Sequence, residues 1–263
     1  PRPPKATNYP SPLIYPIQVE IVACTADDAV VAARGGASRV ERGGAQGQGG
    51  LTPSVGQWRA TRAQVDLPAI VMIRPRSGGF CYTDLEFDTM LRDLDAFLEE
   101  GVDGFVTGCL TADGNPDAKR NAELVRRAQG KVVMCHRCYD VVRDPHAALE
   151  SLIDSGFTRV LTSGRSNSAL EGAPEIWRTV EQAAGRIEVV PGGGVRPGNA
   201  AEVVRLTGVN VVHLAPFVRR EDTSCQANLD LSFAGSLDPA EGLFDLIDAA
   251  SVAATVRAVN PAS

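Results

Sequence analysis

Residues 17–42 read IQVEIVACTADDAVVAARGGASRVER. A short apolar run from Ile17 to Ala23 passes into a helix-length segment, and the chain then returns to a second run from Ser38 to Arg42. That is one βα unit leading into the next, the pattern of a parallel sheet. The alternation continues along the chain, with further strands expected at Ala69 to Arg74, Gly104 to Thr107, Val132 to His136, Arg159 to Thr162, Ile187 to Val190 and Asn210 to His213. Eight such units predict an α/β fold of the TIM-type (β/α)8 class, whose functional site lies at the C-terminal strand ends and the loops that follow. An open doubly wound sheet is the competing architecture, but no GxGxxG motif follows the first strand.

Local chemistry marks several boundaries. Asp84 precedes an amphipathic stretch from Phe87 to Leu98, and Asp144-Pro145 places a capping carboxylate before a proline in a first helical turn. Gly101, Gly156 and Gly208 stand where helices need a left-handed residue to stop. The last helix is expected to start at Asp238-Pro239, with Glu241 completing a capping box and Phe244, Ile247 and Val252 on its apolar stripe. Before it, residues 216–237 read as an irregular loop, either a lid or an insertion. The domain is expected to be a single barrel over residues 17–258, preceded by a proline-rich flexible leader at 1–16.

The chain has 263 residues, of which 44% are hydrophobic and 22% charged, and a formal net charge of −6. This leaves disorder, collagen and coiled coil without support. The negative charge gives no overall attraction to nucleic-acid backbones or anionic lipid, so neither nucleic acid nor membrane is expected as a partner; a small molecule is. No apolar stretch is long enough for a membrane span, and the leader lacks a signal-peptide pattern. Six cysteines are scattered through a chain that can bury its own core, so reduced thiols and a cytoplasmic location are expected.

Inside a barrel strand a charged side chain is costly unless it is paired or used. With a period of two, Glu20 on the first strand and Glu41 on the second point into the barrel, bringing two carboxylates together. Arg74 at the tip of the third strand can reach an inward carboxylate or an anionic group. The fifth strand offers His136 and Arg137, with Asp140 just beyond, the sixth Thr162 and Ser163, and the eighth His213. In Pro191-Gly192-Gly193-Gly194-Val195-Arg196, Gly193 and Gly194 let backbone amides approach a ligand, and a helix begins at Pro197 or Asn199. The structural alternatives stay open: the charges as a buried ion-pair network, the histidines as core residues, the glycines as a tight turn.

Cys135-His136-Arg137-Cys138 is a CxxC sequence whose soft thiolates suit copper(I) or zinc, although no second pair completes a four-ligand zinc site. Packing is the alternative reading. Cys81 lies in the loop after the third strand and is expected near the same rim.

Taken together, Glu20 in the first strand, Gly35-Gly36-Ala37-Ser38-Arg39-Val40-Glu41, Gly49-Gly50-Leu51-Thr52-Pro53-Ser54, Met72-Ile73-Arg74-Pro75-Arg76, His136-Arg137 with Asp140, Leu161-Thr162-Ser163-Gly164 and the 191–196 glycine run resemble the CutC family of copper homeostasis proteins. The likeness runs from about Ile17 to Phe217. It implies a TIM-type barrel, a cytosolic homodimer and a role in copper handling. Two cysteines often found in that family, two residues after each of the first two inward glutamates, are here Val22 and Gly43. The reading that joins these features is a CutC-like barrel doing acid/base chemistry of isomerase, lyase or cyclase type on a small polar or anionic molecule. Glu20 and Glu41 divide the acid and base roles, and His136 is a second proton carrier. Arg74, Arg137, Thr162, Ser163, Gly193, Gly194 and His213 then bind the substrate. The alternatives are a copper(I)-binding protein without catalysis, using Cys135 and Cys138, and a non-catalytic interaction barrel.

Overall fold

The structure, a computed structural model, describes residues 16–228 and 239–261. Eight strands pair in parallel: β1 (Gln18–Ala23), β2 (Arg39–Arg42), β3 (Ala69–Met72), β4 (Gly104–Thr107), β5 (Val132–Cys135), β6 (Arg159–Thr162), β7 (Glu188–Pro191) and β8 (Val211–Leu214). Their order is β7-β6-β5-β4-β3-β2-β1-β8, and a parallel bridge from Gly192 to His213 draws the two edges together. The sheet is therefore a TIM-type (β/α)8 barrel, with α1 (Ala26–Arg34), α2 (Val55–Arg62), α3 (Asp84–Glu99), α4 (Ala118–Arg127), α5 (Pro145–Asp154), α6 (Ala173–Ala183), α7 (Ala200–Thr207) and α8 (Ala249–Val259) alternating with its strands.

The strands form where they do because both faces find apolar cover. Val19, Ile21, Val40, Val71, Phe105, Val133, Val160 and Val212 are buried in the layer shared with the helices. On the other face Ile70, Met72, Val106, Met134, Leu161, Val190 and Val211 fill the barrel. Each such side chain contributes on the order of 1.5–3 kcal/mol when fully buried. Strand β3 is shorter than the sequence suggests, ending at Met72, because the Arg74 N–H donates to the Thr52 hydroxyl instead of continuing along the sheet.

Helix ends follow the expected chemistry. Thr25, Ser54 and Thr83 form capping boxes with Asp28, Gln57 and Glu86, and Asp144 caps α5 ahead of Pro145. The α3 cap is thus Thr83, one residue before the expected Asp84. Gly208 closes α7 at φ +71°.

The end of the chain differs from the expectation. Phe217–Glu221 is a strand, β9, and pairs antiparallel with β10 (Leu243–Ile247), so residues 216–237 are not simply an irregular loop. The final helix begins after Asp248, not at Asp238. Phe244 and Ile247 sit in β10 because it has a pairing partner and because the Ile247 N–H donates to the buried Asp28 carboxylate at 2.9 Å. The leader over residues 1–15 and the segment 229–238, Asp238 included, lie outside the described residues. Among the described residues, no helix is long and apolar enough to cross a membrane.

Candidate functional site

Strand β1 delivers Glu20 to the middle of the barrel, fully buried. Its Oε2 accepts from Arg159 at 2.6 Å and from Arg39 at 3.3 Å, and its Oε1 is 2.8 Å from Nδ1 of His213. Arg159 also pairs with Glu188. Burial by itself would raise the pKa of Glu20, but Arg159 and His213 outweigh it and hold the carboxyl well below the usual carboxylate range. For His213, burial favours the neutral ring, while Glu41 and Glu20 favour the imidazolium and win, raising its pKa.

Glu41 has the opposite environment. Burial pushes its carboxyl up to about 7, with His213 opposing and Glu20 adding to the rise. Its Oε2 is buried without a hydrogen-bond partner and stands 4.0 Å from Nδ1 of His213. Glu41 lines a cavity of about 130 Å³ at the C-terminal mouth, together with Val22, Met72, Arg74, His136 and Leu161. His136 follows β5 into this space. Its Nδ1 accepts the Cys138 N–H at 3.2 Å, which leaves the ring proton on Nε2, and Nε2 has no partner. Burial, reinforced by the positive charge of Arg74, pushes His136 down to about 3. At neutral pH this favours an uncharged ring with its N–H on Nε2, on a side chain that lines the cavity.

A second cavity, about 180 Å³, adjoins the first and shares Val22, Gln46, Arg137, Leu161 and His213 with it. Gly193 and Gly194 line it at φ +97° and +67°. Arg137 crosses between the two, donating from Nε to Asp140 at 2.7 Å and from Nη2 to Ser163 Oγ at 2.7 Å. Asp140 also takes Thr162 Oγ1 at 2.5 Å, Ser163 Oγ at 3.0 Å and the Ser163 N–H. Thr162 and Ser163 are therefore buried supports of Arg137 and the β6 tip. Among the described residues Arg74 reaches no carboxylate; its guanidinium donates to the carbonyls of Gln48, Gly49, Gly50 and Gly78 and lies over the Phe80 ring.

Cys135 and Cys138 place their sulfurs 3.5 Å apart, buried in the layer between the barrel wall and the helices, while His136 turns to the inner side. Burial pushes the Cys138 thiol upward, against the deprotonation a metal requires. Cys81 is exposed. Cys24, near the family-like cysteine positions, is pushed up to about 12 by burial. A larger cavity, about 360 Å³, lies at the β9–β10 hairpin, but it holds none of the residues that converge on the barrel mouth.

Among the described residues, one group meets the spacing of a metal site: Glu20, Glu41 and His213, with ligand atoms within 4.8 Å of one another. The donor set does not suit a metal ion. Glu20 is already neutralised by Arg159 and Arg39, and His213 is shifted toward its cationic form, which offers no lone pair at Nδ1. The arrangement suits proton handling.

Sequence reasoning assigned no role to Arg159 and Asp140. The signal for Arg159 was present, since the period of two that turns Leu161 inward turns Arg159 inward as well. Asp140 had no pattern to reveal its partners on the following strand.

The family model described as the CutC family matches residues 17–217. A family protein CutC of Treponema denticola is 45% identical over 225 residues, covering 86% of this chain and 92% of that protein. A human protein named copper homeostasis protein cutC homolog is 39% identical over 234 residues, 89% of this chain and 86% of its own length. A solved CutC structure from Streptococcus agalactiae superposes with a TM-score of 0.71 at 33% identity, covering 75% of this chain and 98% of that one.

Proposed function

This chain belongs to the CutC family, and on that premise we propose that it acts on a small polar or anionic molecule by acid/base chemistry, with Glu41 as the group that carries the proton. One observation carries the reading: the Glu41 Oε2 is buried and unpartnered, on a side chain that lines a mouth cavity, beside a carboxylate, Glu20, whose charge is fully matched. Adjacent carboxyls driven in opposite directions divide the labour of proton transfer. Glu20 stays ionised and orients His213, while Glu41 exchanges a proton near neutrality. Infrared difference spectroscopy from about pH 5 to about pH 9 tests this without a substrate. A protonated-carboxyl band with its midpoint near neutral pH, absent in Glu41→Gln, is the expected result. A Glu41 midpoint in the ordinary carboxylate range overturns the reading.

Copper(I) handling is the second reading, suggested by the name of the human relative and favoured here by the 3.5 Å approach of the Cys135 and Cys138 sulfurs. Titration against a chromophoric copper(I) chelator under reducing conditions tests it. Stoichiometric competition that disappears in the Cys135→Ser, Cys138→Ser double variant supports it, and equal behaviour of the two proteins removes these ligands from consideration. The six free cysteines support a reducing, cytoplasmic setting.

A further inference from the structure

Three unspent groups belong to residues lining two adjoining cavities. Glu41 and His136 line the first, and the Oε2 of Glu41 and the Nε2–H of His136 are buried there without partners. Gly193, Gly194 and Val195 line the second cavity, and their backbone N–H groups have no acceptor among the described residues; the two glycines take left-handed φ, which brings the backbone of this turn to the cavity without side chains in the way. The Arg137 guanidinium leans over this turn: a Cβ on Gly193 would lie 3.2 Å from its Nη1, the one terminal nitrogen that neither Asp140 nor Ser163 occupies. A cluster of free amides beside a guanidinium edge is a receptor for a tetrahedral oxyanion. An uncharged imidazole N–H paired with a carboxyl, in a pocket walled by Val22, Met72 and Leu161, is a receptor for a carbonyl group whose neighbouring carbon bears a hydrogen.

We propose that the two cavities together bind a small phosphorylated carbonyl compound, with the phosphate against Gly193 to Val195 and Arg137 and the carbonyl oxygen against His136, and that Glu41 removes a proton from the adjacent carbon. The substrate class rests on the acid/base reading of Glu41 given above. In the step, the Glu41 carboxylate takes the proton, the C–H electron pair becomes the new C=C bond, and the carbonyl π pair moves onto oxygen, where the His136 N–H stabilises it. The Glu41 carboxyl then returns the proton to carbon, so no oxidant, reductant or metal is consumed. A neutral His136 serves this role because it donates a hydrogen bond to the developing oxyanion without first losing its own charge.

The test compares two phosphate compounds by calorimetry on the full chain: phosphoglycolohydroxamate, a planar mimic of the enediolate, and glycerol 3-phosphate, its saturated counterpart. Inorganic phosphate is the third probe. The mimic is expected to bind at least about 100-fold more tightly than the saturated compound. That preference collapses in His136→Phe, which retains a ring but lacks the N–H, and in Glu41→Gln. Arg137→Ala, at a half-exposed side chain, weakens all three phosphate ligands alike by about tenfold or more and leaves the preference standing. Circular dichroism establishes that each variant is folded. Equal affinity for the mimic and the saturated compound overturns the carbonyl assignment, while the acid/base reading stands or falls separately on the Glu41 infrared midpoint. Absence of binding by every phosphate probe overturns the anion half, and with it the substrate class.

Discussion

The Nδ1 of His213 lies 2.8 Å from Glu20 and 4.0 Å from Glu41. One imidazole thus bonds to a carboxylate that is already neutralised and stands just outside contact with one that is not. The asymmetry originates in Arg159, which reaches Glu20 from the far side of the barrel and has no hydrogen bond to Glu41. Two glutamates brought side by side by adjacent strands consequently differ in charge state near neutrality.

Glu41 should leave its mark on stability as a function of pH. A carboxyl with a raised folded pKa binds protons more firmly in the folded state, so its contribution is lost as pH rises from the unfolded value, 4.5, through about 7. The raised His213 acts in the same direction above its own unfolded value. Glu41→Gln removes the first contribution. Chemical denaturation at several pH values should show the variant gaining on the wild type between about pH 5 and about pH 8, by on the order of 1–3 kcal/mol. A constant difference across that range would contradict the assignment.

Glu20 should be a stability residue of the first rank. Glu20→Ala takes the buried carboxylate away from His213 and leaves Arg159 with Glu188 alone, and breaking such a buried pair costs about 3–5 kcal/mol. Its lowered folded pKa adds stability above the unfolded value that is lost as pH falls below it. Calorimetric melts at neutral pH should show the loss, and a variant that melts with the wild type would mean the network is not closed as described.

Gly193 and Gly198 make a matched pair. Gly193→Ala forces a side chain onto φ +97° and against Arg137, at a cost of about 1–3 kcal/mol. Gly198 has open space around its missing Cβ, and Gly198→Ala should be neutral or stabilising by up to about 1 kcal/mol. Urea unfolding of the two variants checks the contrast.

Asp140→Asn should cost about 2–3 kcal/mol, because the carboxylate holds two hydroxyls, a backbone N–H and the Arg137 Nε at once. Freed from this hold, Arg137 should also bind inorganic phosphate several-fold more weakly. Denaturation together with a phosphate titration separates the two effects.

The barrel was legible because strands covered on both faces carry a two-residue period, and the same period turned Glu20 and Glu41 inward on paper. His213 joined them for a simple reason: it is the last inward residue of its strand. Arg159 was overlooked although it lies on an inward register, since its partner Glu20 is 139 residues away and nothing local announces the pairing. The final hairpin was misread because Leu243–Ile247 is a short apolar run whose periodicity fits helix or strand equally. Its state is decided by β9 and by Asp28, 219 residues earlier in the chain. The tautomer of His136 likewise depends on a backbone N–H that no sequence pattern displays.

Arg74 has a further consequence for how this mouth can change. It binds the loops around Gln48–Gly50 and Gly78 through their main-chain carbonyls, the one acceptor that every residue possesses. Anchoring of that sort is blind to side-chain identity. The rim can therefore exchange Ala45, Gln46 or Gln48 for other residues, and so meet other molecules, while a single arginine keeps the two loops clasped. The clasp is what separates novelty at the entrance from the proton machinery beneath it.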